Sequence, residues 1–582
     1  MTHPARRLPT VATTAVAIAF AGALPLHGSL PAQASPPTAP APATAPPLAA
    51  PHLRVTTVGP LGWRIRLGPT NLGTLLDGDP ARALWTPYLG EFGRDVASLL
   101  GEQADAARQR FFGYDGVIHV DLWFDDFQAE DGLRAATLVA EGDGRTDMAL
   151  LAADLHLLQE VVPAVWEDAL VAGERMRIRT ANDASMCEAR VVNGCLVAAV
   201  TRSKTESLDA LYAAAAAAAR AAQADGDRTR AAKRPPLVVD AAPALAFARM
   251  FGFDVDDVRV RPLGLDGVQG LTLTLTAAGP CVQCEAAVRF ASAPTGLMAA
   301  LMPARTALPR LARALPTAAP TFRLGHFGFG AMWHAIVDFA AAESRQTAAA
   351  FTAEAEAALG VDLGAGFFGL LGDEVLMTTQ PVEDPERPKK ATWAMAIAVD
   401  DAPAFQRGLQ ALVDGVKPHL TRQETTALAG VACSRYGNVL AYPLWLGCSA
   451  RAFYVAAGSD AEAELTQLIA AIEAAPVDGA TPAVDAAFAG VRRALPPGLS
   501  GASRYDLQHG SLVFDAIYDT LTGSMFSLWF GVRGDDEEAL AAREAQAEAK
   551  DAWLERLRAH DLATVRTATG FADGTWRIRL YW

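Results

Sequence analysis

The chain has 582 residues, 51% of them hydrophobic and 20% charged. That apolar share excludes a disordered chain, and the length calls for three or four packed units of roughly 150 residues each. With 65 acidic against 50 basic side chains the formal charge is −15. Nucleic acid is thereby excluded as a partner, because phosphate binding needs a basic footprint.

Residues 1–34 read as an export signal. Arg6 and Arg7 give a positive start, Val11 to Leu26 is apolar and small, and Ala32-Gln33-Ala34 offers a small-x-small cleavage pattern. The run is too short to span a bilayer, and Pro25 interrupts it. The expectation is an exported protein, periplasmic or extracellular, with no transmembrane span in the mature chain. Arg6-Arg7 leaves the Sec and twin-arginine routes both open. Residues 35–52 are Pro/Ala-rich and uncharged, the composition of a semi-extended tether.

The rest reads as a tandem duplication. Phe111-Phe112-Gly113-Tyr114-Asp115-Gly116-Val117 recurs loosely as Phe367-Phe368-Gly369 followed by Leu370 to Val375. Each copy lies some 45 residues after an Arg-containing strand, Trp63 to Leu67 in the first and Thr321 to Leu324 in the second. Each ends in a strand and an Ala-rich helix, 195–200 then 207–222 and 452–458 then 460–473. Smaller pieces follow, with Gly270 to Thr276 alternating as a strand should. The Trp-Arg-Ile-Arg-Leu string of 63–67 returns at 576–580, in what reads as a last strand.

The expected fold class is α+β, with mainly antiparallel sheets and helices packed on one face. The divisions are a first lobe at 53–232, a smaller lobe at 233–315, a second copy at 316–480 and a second smaller lobe at 481–582. Further helices are expected over 401–416 and 535–560.

The stretch Ala357 to Leu363, continuing to Leu371-Gly372-Asp373-Glu374-Val375, resembles a bacterial domain-of-unknown-function family of exported proteins. Residues 320–475 carry the resemblance; in the first copy Asp115-Gly116 stands in place of the acidic pair. It implies fold and compartment, and no activity.

Of the chemistry-bearing residues, Cys187, Cys195, Cys281, Cys284, Cys433 and Cys448 are disulfide candidates, since export and an even count favour pairing. Cys433–Cys448 is the favoured bridge. Cys187–Cys195 meets an objection: a two-residue turn at Asn193-Gly194 puts Cys195 opposite Val192. For Cys281-Val282-Gln283-Cys284, a disulfide across a turn is expected over a redox or zinc site, because the helix start and the second ligand pair are missing. His326 and His334 are too far apart on a helix to share a metal, and aromatic packing at a helix start explains Phe327 to Phe329 better than a dinucleotide loop. Asp373 and Glu374 are the sharpest polar feature and the first suspects for acid–base chemistry, although strand neighbours point to opposite faces. No motif calls for a cofactor or metal. The function expected is a non-enzymatic binding or scaffold module, with a peptide, lipid or glycan held in a cleft between the halves; the alternative is an extracytoplasmic hydrolase whose site is assembled from distant residues.

Overall fold

A computed structural model describes residues 50–77, 104–124, 133–160, 166–181, 184–202, 207–224, 234–241, 261–315, 321–344, 346–380, 392–415, 422–437, 443–458, 460–476, 479–506, 555, 557–559 and 562–582. The export signal expected at 1–34, nearly all of the tether expected at 35–52 and most of the helix expected at 535–560 lie outside these.

Alternating apolar residues build one long antiparallel sheet. In the first half β1 (Leu53–Val58) pairs with β2 (Val117–Phe124), β2 with β3 (Leu133–Ala140), and β3 with β8 (Cys195–Thr201). Beyond β8 come β6 (Ala184–Cys187) and β7 (Arg190–Val192), then β5 (Glu174–Ala181) and the edge strand β4 (Trp166–Val171). On its other side β1 meets β9 (Leu237–Ala241), followed by β10 (Val268–Ala278) and β11 (Cys281–Phe290).

The second half runs β12 (Thr321–His326), β13 (Leu371–Gln380), β14 (Thr392–Val399), β18 (Ala452–Ala457), β17 (Leu444–Cys448), β16 (Val431–Tyr436) and the edge β15 (Arg422–Leu428). From β12 the sheet continues the other way through β19 (Leu499–Asp506), β20 (Thr564–Ala572) and β21 (Thr575–Tyr581). The halves join where β21 pairs with β11, from Gln283↔Tyr581 to Arg289↔Thr575.

Outward from this seam the order is β11-β10-β9-β1-β2-β3-β8, then β6/β7, β5 and β4. On the other side it is β21-β20-β19-β12-β13-β14-β18-β17-β16-β15. Closing the sheet into a barrel would need β4 to meet β15, and no such pairing occurs among the described residues.

Helices fill the connections: α1 (Pro60–Leu67), α2 (Asn71–Asp77) and α3 (Ala104–Gly113) between β1 and β2; α4 (Met148–Glu160) after β3; α5 (Leu208–Ala224) after β8; and α6 (Gly296–Leu301) after β11. In the second half come α7 (Phe329–Ser344) and α8 (Ala348–Leu359) between β12 and β13, α9 (Ala402–Gly415) after β14, and α10 (Ala461–Ala474) and α11 (Pro482–Ala487) after β18.

The α+β class and the antiparallel sheet hold. The expectation of helices on one face does not, because strand alternation exposes an apolar row on each side. Leu138 and Leu196 pack with Leu151 and Leu155 of α4. Their strand neighbours Val139, Cys195 and Val197 pack on the opposite side with Leu211, Ala215 and Ala219 of α5. The second half repeats this, with Ala394 and Tyr454 against Leu465 and Ile469 of α10, and Ile397 and Phe453 against Phe405 of α9. Each such buried Leu or Phe contributes roughly 2–3 kcal/mol of transfer free energy.

A second correction concerns Trp63 to Leu67, expected as a strand. It is the body of α1, and β1 lies just before it. Pro60 presets the first turn of that helix. Trp63 Nε1 donates 2.8 Å to Thr57 Oγ1, and Arg66 pairs with Asp115 at 3.2 Å. The same five residue types at 576–580 lie in β21, where β11 and β20 supply partners on both sides.

Candidate functional site

Two features are candidates, the acidic pair and a crevice between the halves. A register shift in β13 between Leu371 and Val375 breaks the alternation that would have sent Asp373 and Glu374 to opposite faces. Both carboxylates instead engage residues 305–311 of the segment joining β11 to β12. Asp373 accepts a hydrogen bond from Arg305 Nε, and its Oδ1 lies 3.4 Å from His326 Nδ1. His326 donates from Nε2 to the Ala307 carbonyl at 2.9 Å. Glu374 accepts from Arg310 Nε at 2.8 Å and from the Leu311 backbone N–H at 3.3 Å. Leu311, Ala312, Ala314 and Leu315 are buried in the second half's main core.

The chemistry of this cluster is therefore that of a clamp. His326 first, and Arg305 with it, hold the Asp373 carboxyl down at about pH 2 against the opposing effect of burial. Glu374 in turn pulls the Arg310 guanidinium above its usual range. A general acid needs a pKa near the working pH, and Asp373 has moved the wrong way. The sequence reading missed Arg305 and Arg310. Their signal was a pair of cations after Met302-Pro303, legible only if one asks where two adjacent carboxylates find counter-charges.

The crevice, about 340 Å³, is lined by Arg261, Pro262, Asp266, Thr295 and Gly296 from the first half and by Asp338 on α7 from the second. Gly296 of the lining and Gly264, between the lining residues Pro262 and Asp266, both have positive φ, 53° and 73°. A Cβ at Gly264 would fall 2.0 Å from the Thr295 carbonyl oxygen, and one at Gly296 2.2 Å from that of Pro262. The two helices that contribute Gly296 and Asp338 also expose Leu301, Ile336 and Phe339, each about half accessible. A second hollow, about 560 Å³, is lined by the outer face of α9 alone.

The six cysteines are unpaired, which corrects every disulfide candidate. Cys433 stands opposite Gly447, so Cys448, one residue on, faces the other side of the sheet. The Cys433 sulfur fills the space a Cβ at Gly447 would take. Cys281 and Cys284 share β11 three residues apart, so they point to opposite faces some 10 Å from each other. The tight turn at Asn193-Gly194 forms as expected, with Val192 opposite Cys195, while Cys187 accepts from the Ala199 backbone N–H at 3.2 Å. Burial pushes the thiol of Cys187 up to about 12 and those of Cys433 and Cys448 to about 11, so none is a ready nucleophile.

Among the described residues no group of three or more His, Cys, Asp or Glu side chains could hold a metal ion, and no helix is long and apolar enough to cross a membrane. No family model matches the chain, and no curated protein matches it significantly. Two solved structures of the Treponema protein TP0453 are similar over part of the chain. Crystal form III is 8% identical, covering 45% of this chain and 86% of that one, with a TM-score of 0.24. Crystal form I is 6% identical, covering 43% and 78%, with a TM-score of 0.20. Overlap that loose carries neither fold nor activity from one protein to the other.

Proposed function

We propose that the chain is an exported binding or scaffold module, built by duplication of a unit corresponding to 53–315 and 316–582, with its ligand seat in the crevice between the halves. The crevice carries this reading: it takes residues from both halves, and its lining includes the exposed carboxylates of Asp266 and Asp338. Interfaces between structural units are preferred ligand sites. Support for the duplication comes from the matching strand orders on the two sides of the β11–β21 seam. The family resemblance at 371–375 fits an exported protein of this kind. The engagement of Asp373 and Glu374 with the connector tells against those two carboxylates as the acid and base of a hydrolase.

Two carboxylates against the single guanidinium of Arg261 suit a cationic ligand, a basic peptide or an amine-bearing lipid, better than a neutral glycan. The test is isothermal titration of the whole mature chain with a basic amphipathic octapeptide, a lysolipid and a linear oligosaccharide. Saturable binding of the peptide or lysolipid is expected, weakened about tenfold or more by Asp266→Asn with Asp338→Asn. Binding that survives this double substitution, or binding of the oligosaccharide alone, removes the crevice as the seat.

A further inference from the structure

Away from the crevice, three adjacent strands of the first half bring together Thr56 on β1, His119 on β2 and Glu141 just past the end of β3. Thr56 and His119 are direct cross-strand partners. The Thr56 Oγ1 lies 3.2 Å from His119 Nδ1, and His119 Nε2 lies 2.8 Å from Glu141 Oε1. Arg234 Nη1 reaches the same carboxylate oxygen at 3.4 Å. The His119 side chain is 31% accessible and that of Glu141 22%, so the chain of groups is ordered by its neighbours yet open to solvent.

The carboxylate decides the tautomer. In the tautomer that donates from Nε2 to the Glu141 carboxylate, the His119 Nδ1 lone pair faces the Thr56 hydroxyl. A hydroxyl on a base, with the base oriented by a third group, is the arrangement that activates an oxygen nucleophile. Here the two ring nitrogens exchange the places they hold in serine hydrolases.

We infer that Thr56, His119 and Glu141 form an acyl-transfer relay acting on carboxylic esters. Thr56 Oγ attacks the acyl carbon, an Oγ–C bond forms, and the hydroxyl proton passes to His119 Nδ1. The bond from the acyl carbon to the alcohol oxygen breaks, and that oxygen takes the proton from His119. Water then attacks the acyl-threonine with His119 again as base, the Oγ–C bond breaks, and the free acid leaves as Thr56 regains its proton. Glu141 and Arg234 are positioning residues. With the His119 and Glu141 side chains 31% and 22% accessible, the ester reaches the relay directly from solvent. The neighbouring backbone N–H groups of β1 and β2 belong to the sheet ladder, which leaves general-base assistance of about 10²–10⁴-fold as the main source of rate.

The test uses the whole mature chain with p-nitrophenyl acetate and a fluorophosphonate probe, followed by peptide mapping. Slow hydrolysis and a covalent adduct on residue 56 are expected. Thr56→Val and His119→Gln should each lower the rate about 100-fold, with Thr56→Ser retaining both rate and adduct. Glu141→Gln should shift the pH profile of the acylation rate as well as lower it, a change a merely structural role would not cause. Thermal melts monitor folding, and should Thr56→Val fail to fold, the adduct position in wild type and Thr56→Ser decides. Equal rates in wild type and Thr56→Val, an adduct on any other residue, or no hydrolysis above buffer overturns the proposal.

Discussion

Asp373 shows how a residue that looks catalytic becomes structural once its neighbours are known. His326 and Arg305 favour its charged form, so folding is linked to its ionisation. Because the folded pKa, about 2, lies below the ordinary 3.8, the stabilisation is complete above about pH 5. It is lost as pH falls from about 4 towards 2. With solvent screening of a partly exposed pair it is worth roughly 1 kcal/mol. Asp373→Asn should therefore lower the urea midpoint at pH 7 and leave it unchanged near pH 2. An equal loss at both pH values means that the ion pairs do not set the effect. The thiols teach a related lesson: an even count behind an expected export signal invites disulfides, but strand parity points Cys433 and Cys448 to opposite faces, and parity outranks proximity in sequence.

At the scale of elements, two hairpins carry an unusual turn. β4 and β5 are joined by Ala172-Gly173, and β15 and β16 by Ala429-Gly430, with φ of 50° and 82° in the first and 46° and 85° in the second. Both residues of such a turn need positive φ, which suits the right-handed twist of the strands. An alanine there costs about 1–2 kcal/mol that asparagine largely avoids. Ala172→Asn and Ala429→Asn should each raise the unfolding free energy by about 0.5–1 kcal/mol in urea melts, and no gain at either site would show that the turns are unstrained. Recurrence of an alanine in so unfavourable a place, at corresponding hairpins, also supports the proposed duplication. Other elements follow their local signals. Asp401 accepts from the Ala404 N–H at the start of α9, and the Ala213–Ala219 run buries Ala215, Ala216 and Ala219 against β8 and β3.

On the scale of the molecule, the β11–β21 seam couples the two halves. Its backbone pairing is reinforced by the Arg579–Glu285 ion pair and by Arg579 Nη1 donating 2.6 Å to the Ala494 carbonyl. Neither half presents a free edge there, so calorimetry of the chain should give one cooperative transition. Ile578→Pro, which removes a ladder donor in a central strand, should split or broaden it. Two independent transitions in the wild type would mean that the seam does not couple the halves. Much of this plan could be read from residue order: the antiparallel α+β class, α5, α7, α9 and α10, the alternating β10 and the tight turn at Asn193-Gly194 all follow from periodicity and turn chemistry, which act within a dozen residues. The sequence by itself determined those elements. Tertiary structure alone decided that Trp63–Leu67 is helical while its twin at 576–580 is a strand, that the cysteines stay apart, and that Asp373 and Glu374 clasp a connector. Each of these outcomes depends on which distant strand, carbonyl or guanidinium stands opposite, and a pattern local in sequence holds no record of that.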